Sequence, residues 1–142
     1  MRKGILAYQG IFMRSDAREA AFKIIYSKQF NKDCSSSFRN AIIKGYSLNE
    51  DEVEFSNRLI ETVQEKEGEI LQKLDELVKS YSLDRLFVAD KSILMLAICE
   101  ILYFPDVPNV VAVNEAVGLA KKYSSETSAD FVNGVLASLI NA

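Results

Sequence analysis

The stretch Ile93-Leu94-Met95-Leu96-Ala97-Ile98-Cys99-Glu100-Ile101-Leu102 decides the fold. Wound as a helix it leaves almost no polar face, and a helix that is apolar all round has to be enclosed by others. Pro105 and Pro108 stop it, since proline cannot continue the hydrogen-bond ladder. The run falls well short of the about 18 to 20 apolar residues that cross a bilayer, so a soluble, cytoplasmic protein with no membrane contact is expected. Only six Gly and two Pro in 142 residues, of which 49% are hydrophobic, favour a compact helical domain over disorder or a strand-and-turn architecture.

Outward from this centre the apolar spacing is helical throughout. Ala17, Ala20, Ala21, Ile24 and Ile25 recur after Ser15 and Asp16, which suit an N-cap and first turn, and predict a helix over about 15–30. Phe38, Ala41 and Ile42 predict a short second helix ending near Gly45, and Asn49 followed by acidic residues starts a third that carries Val53, Leu59, Ile60 and Val63. Gly68 interrupts before a fourth stripe, Ile70, Leu71, Leu74, Leu77, Val78 and Tyr81. The apolar helix from Val88 is the fifth. The sixth starts near Asn109 and buries Val110, Val113, Val117 and Ala120, with Lys121 and Lys122 at its end. Thr127 to Asp130 has the spacing of a capping box for the seventh, which turns Phe131, Val132, Val135, Leu136, Leu139 and Ile140 inward. Asn114, Glu115 and Asn133 read as packing devices, and Gly134 as a point of close helix approach. The fold class is all-α.

Met1 to Phe12 has the basic start and apolar middle of a secretion leader, but Gln9 breaks it, and Arg14 and Asp16 stand where a small-residue cleavage site belongs. Residues 1–13 are therefore taken as an N-terminal extension, and 14–142 as one domain.

The chemical inventory is poor in catalytic parts. The chain has no His, which removes Ser-His-Asp and Cys-His pairs, and no glycine-rich phosphate cradle. Cys34 and Cys99 are too few and too far apart for a metal cluster and read as reduced thiols. No catalytic residue, metal or cofactor is expected. The net charge of −3 hides an asymmetry. Residues 1–46 hold nine basic against three acidic side chains, and residues 47–142 hold eight against 17. One half suits a polyanion and the other a basic partner; the competing reading is ordinary solvated surface.

Several motifs occur in order and in register: Ala17-Arg18-Glu19-Ala20 with Tyr26-Ser27, Leu83-Asp84-Arg85-Leu86, Asp90-Lys91-Ser92-Ile93-Leu94, Glu100-Ile101-Leu102-Tyr103, Asp106-Val107-Pro108, Val113-Asn114-Glu115-Ala116 and Phe131-Val132-Asn133-Gly134-Val135-Leu136. The set resembles the NusB family of bacterial transcription antitermination factors over about residues 14–140. The resemblance implies a bundle of about seven helices in two subdomains. It also implies an adaptor that binds boxA-type single-stranded RNA together with NusE, a protein of the small ribosomal subunit, and joins other Nus factors on the RNA polymerase elongation complex during ribosomal RNA transcription. Both monomers and homodimers are compatible with it.

By that resemblance Arg14, Arg18, Tyr26 and Phe131 match the family's RNA face, with Lys121 and Lys122 at its edge. Asp84, Asp90 and Lys91 match positions near the NusE contact. Single-stranded RNA is held by cations on phosphates and by rings on which bases stack, which these residue types supply. The competing reading makes Tyr26 and Phe131 core residues and the charged set ordinary surface salt bridges. Ser15, Asp16, Gly118 and Thr127 depart from residues common in the family. Two further readings stay open: an N-terminal fragment of an RNA cytosine methyltransferase with this fold, since 142 residues leave no room for a nucleotide-cofactor domain, and a helical scaffold that binds only protein.

Overall fold

The computed structural model describes residues 14–31, 35–78 and 83–141. The N-terminal extension, Cys34 and Tyr81 lie outside them. Seven α-helices follow in order: α1 (Ser15–Phe30), α2 (Ser36–Lys44), α3 (Glu50–Glu65), α4 (Glu67–Val78), then after a 3-10 turn (Leu83–Arg85) α5 (Val88–Tyr103), α6 (Asn109–Tyr123) and α7 (Glu126–Ile140). No strand occurs among the described residues.

Helix α5 is the axis. It packs against α1, α3, α4, α6 and α7, joining a group formed by α1, α2 and α3 to the α6–α7 hairpin. Every residue from Ser92 to Glu100 is buried, as a helix without a polar face requires. Cys99 is a free, buried thiol, and burial pushes its pKa up to about 12, so it sits in the core as an inert apolar side chain.

Helix starts were legible where short polar side chains sit in the right place. Asn49 Oδ1 accepts from the Glu52 amide at 2.8 Å while Glu52 Oε1 accepts from the Asn49 amide at 3.1 Å, a reciprocal box that satisfies two otherwise orphaned donors. At α7 the cap lies two residues upstream of the expected Thr127: Ser125 Oγ accepts from the Ser128 amide at 3.0 Å. At α1, Ser15 is already helical, and Arg14 is the N-cap without a side-chain cap bond. The break between the third and fourth helices falls at Lys66 rather than at Gly68.

Two stripes are rotated from their expected registers. In α6 Val110 is exposed, and Val111, Ala112, Ala116 and Leu119 face the core with Ala120. In α2 the buried residue is Ile43, with Phe38 and Ala41 outside. Each is an error of about one residue, or 100° of rotation, in a segment rich in small or β-branched residues whose pattern fits two registers. In α7 the expected face holds from Phe131 to Leu139, and only the last residue, Ile140, is exposed.

The packing roles expected for Asn114, Asn133 and Gly134 are also corrected. All three are exposed, and a Cβ built on Gly134 meets nothing within 4 Å. Gly134→Ala is therefore expected to raise the unfolding free energy by about 0.5–1 kcal/mol, because it removes backbone freedom from a helix interior at no steric cost. Urea unfolding of the two proteins checks it, and a destabilised variant would contradict the geometry.

Candidate nucleic-acid and partner interface

Arg18 is buried, with 1% of its surface exposed. Its Nε donates to both Glu100 oxygens at 2.8 and 3.0 Å, and its Nη1 donates to Glu115 Oε1 at 3.2 Å. Ser15 Oγ donates to the same Glu115 oxygen, and the Phe55 ring lies 5.0 Å from the guanidinium. The reading of Arg18 as a phosphate ligand is thereby corrected: the side chain joins α1 to α5 and α6 and is out of reach of a ligand in solvent. Burial raises the Glu100 carboxyl above its ordinary pKa, against the pull of Arg18. Sequence reading missed this pairing, although a lone carboxylate in an otherwise apolar helix signals a buried counter-charge.

With α1 clamped this way, its other faces form an edge with the end of α6. Phe22, Tyr26 and Phe30, spaced four residues apart, stack in series at 5.9 and 5.2 Å between ring centroids, and Tyr123 of α6 closes on Phe22 at 5.0 Å. Tyr26 is 36% exposed and lines a cleft of about 340 Å³ with Phe22, Lys23, Ser27 and Tyr123. The exposed rings of Phe30 and Phe87 were absent from the expected set. For Phe30 the four-residue aromatic spacing was the signal that could have found it.

The cations of this edge differ in availability. Arg14 is half-buried with its guanidinium 4.4 Å from the Phe55 centroid. Lys121 is exposed, and no ion pair is formed by it among the described residues. Lys122 is exposed too, but it is not a free cation: its Nζ donates to Glu19 Oε1 at 2.7 Å. Tyr46 donates to the other Glu19 oxygen at 2.6 Å. Burial acts to raise the Glu19 carboxyl, yet these two donors outweigh it and hold the group below the usual carboxylate range.

The second group gathers at the start of α5. Asp90 is 4% exposed; its Oδ2 accepts from Ser128 Oγ at 2.9 Å, and Ser128 Oγ in turn accepts from Ser124 Oγ at 2.8 Å. Asp90 Oδ1 is buried without a hydrogen-bond partner among the described residues. It lines a cleft of about 210 Å³ with Arg85, Leu86, Phe87, Thr127 and Phe131. The structure thus brings Asp90 and Phe131 together from two expected groups, while Asp84 stays exposed on the 3-10 turn and Lys91 lines a different cleft. Phe131 is half-buried and packs against the core, so its ring is shared between core and cleft.

No cluster of metal-binding side chains and no helix long and apolar enough to cross a membrane occurs among the described residues. Seven helices, one of them buried at the centre, with an aromatic and cationic edge and an acid-bearing cleft, define an all-α domain. The profile of the NusB family matches residues 15–141. The chain is 39% identical over 133 residues to the transcription antitermination protein NusB of Natranaerobius thermophilus, covering 90% of this chain and 94% of that one. It is 35% identical over 127 residues to NusB of Finegoldia magna, covering 89% and 93%. Among solved structures, T. maritima NusB superposes with a TM-score of 0.82 at 31% identity over 90% of each chain. A structure of the antitermination factors NusB and NusE in complex with double-stranded RNA gives 0.82 at 25% identity, covering 90% of this chain and 96% of that one. The chain belongs to the NusB family.

Proposed function

We propose that this chain is a transcription antitermination adaptor that binds boxA-type RNA weakly alone and more tightly together with a NusE-type protein, and so supports transcription of ribosomal RNA in the cytoplasm. The observation that carries the reading is the pair of exposed rings Tyr26 and Phe30, set along one helix edge on the buried Phe22, with the exposed Lys121 on the neighbouring α6. Stacking platforms beside a basic track are what single-stranded RNA uses. The solved relative that holds both NusE and RNA adds the partner class. Residues 14–142 act as one unit in this reading.

The residues assigned to RNA are Arg14, Tyr26, Lys121 and Phe131, with Lys122 contributing less because Glu19 holds its charge. Asp84 is assigned to the protein partner, whose basic side chains are drawn to the acidic half of the chain, while the buried Asp90 shapes the floor of the neighbouring cleft through Ser128. Contacts with the RNA polymerase elongation complex and other Nus factors complete the assembly. Photo-crosslinking of boxA-type RNA followed by peptide mass spectrometry tests the assignment. Adducts are expected on peptides of α1, α6 and α7; adducts confined to other helices, or none, would turn the reading toward a scaffold that binds only protein.

A further inference from the structure

At one end of the bundle a polar cleft lies over the core of the described residues. The apolar stripes of three helices each give way one turn further on to a polar residue: Lys28 follows Ile24 and Gln29 follows Ile25 on α1, Gln64 on α3 and Glu67 at the start of α4 follow Ile60 and Val63 of α3, and Lys91 precedes Met95 on α5, each four positions away. Ile24, Ile25, Ile60, Val63 and Met95 are buried. Their polar successors line a cleft of about 600 Å³, within the size range of ligand sites. A stripe that continued apolar would have closed this end.

The lining chemistry is that of an anion site with hydrogen-bonding walls. Two ammonium groups face one carboxylate, Glu67, and two primary amides. Neither Lys28 nor Lys91 forms an ion pair among the described residues, whereas Lys66, Lys73 and Lys122 do. Gln29 is already anchored, donating to the Ile25 carbonyl at 3.2 Å, so its amide oxygen is held in place as an acceptor. Neither exposed ring nearby in the chain is part of the lining: Phe30, 67% exposed, follows Lys28 by two residues, and Phe87, 72% exposed, lines the cleft with Asp90. Cations paired with amides suit a phosphodiester and a base edge, and the RNA-binding reading above selects that occupant over an acidic peptide.

We propose that this cleft is a nucleotide subsite for single-stranded RNA, in which Lys28 and Lys91 hold one phosphodiester between them and the amides of Gln29 and Gln64 meet a base edge. The inference rests on the RNA-binding reading above and adds a position to it at the far end of α1 from Arg14. It moves Lys91 from the protein partner to the RNA.

The test is fluorescence titration of a labelled boxA-type single-stranded RNA over a range of salt, with the NusE-type partner present, on the full chain. Neutralising one phosphate contact in Lys28→Gln/Lys91→Gln lowers the slope of log affinity against log salt by about 0.7. Lys44→Gln, an exposed cation on α2 outside the cleft, leaves the slope unchanged. Glu67→Gln removes the opposing carboxylate and is expected to tighten binding, a gain that damage to the fold does not produce. An unchanged slope in the double variant beside intact RNA binding overturns the subsite and leaves the function standing. Loss of NusE-type binding with an unchanged salt slope makes the occupant a protein and also overturns it. Absence of RNA binding by the unaltered chain overturns both readings.

Discussion

Arg18→Ala is expected to lower the unfolding free energy by about 3–5 kcal/mol, the range seen when one partner of a buried ion pair is removed. The size follows from what is left behind. Glu100 is buried, and it loses both short bonds from the Arg18 Nε. Arg18→Lys should recover little, because a single ammonium does not reproduce a planar fork that reaches Glu100 and Glu115 at once. Replacing Arg18 and Glu100 together by apolar residues of similar volume should restore much of the loss, since no uncompensated charge then remains. The pH dependence has a definite sign. Burial already raises the Glu100 carboxyl above its ordinary 4.5, and Arg18 opposes that shift. Without Arg18 the folded-state pKa climbs further, so the variant holds a proton that the unfolded chain has released. Its deficit is therefore greatest near neutrality and shrinks as pH falls toward 4.5. Urea unfolding at several pH values reads both effects. A loss below about 1 kcal/mol, the range of an exposed pair, would refute the buried clamp.

Leu94→Ala should cost about 2–5 kcal/mol, the range for truncating a buried leucine. Leu94 is fully buried, whereas Leu102, two turns further along the same helix, is 40% exposed. Leu102→Ala is expected to cost less than about 1 kcal/mol, because much of its surface already meets water. The contrast, measured by thermal or urea unfolding, tests whether α5 is enclosed along its middle. Equal costs at the two positions would place the helix at the surface.

The fold was legible because composition and periodicity act on the whole chain at once. The all-round apolar run of α5, the Asn49 cap and the four-residue stripes of α1 and α3 each have one helical solution. Register was less legible where Val-rich or Ala-rich segments satisfy two faces equally, as at Val110 and Val111. The interface was legible as a set of residue types and not as a set of environments. Arg18 and Lys122 are both cations on or beside α1, but one is sealed against Glu100 and the other is tied to Glu19. Such pairings join residues 82 and 103 positions apart, and no local pattern carries them. The same holds for Lys28 and Lys91, which meet at one cleft only because α1 and α5 pack side by side.

The central claim is that RNA binding by this chain depends on a second protein. Gel mobility-shift titration of boxA-type RNA with the chain alone, and again with a saturating NusE-type partner, measures that dependence directly. Affinity is expected to rise at least about tenfold with the partner, a coupling of about 1.4 kcal/mol. Equal affinity in the two titrations, or no RNA complex in either, would contradict it.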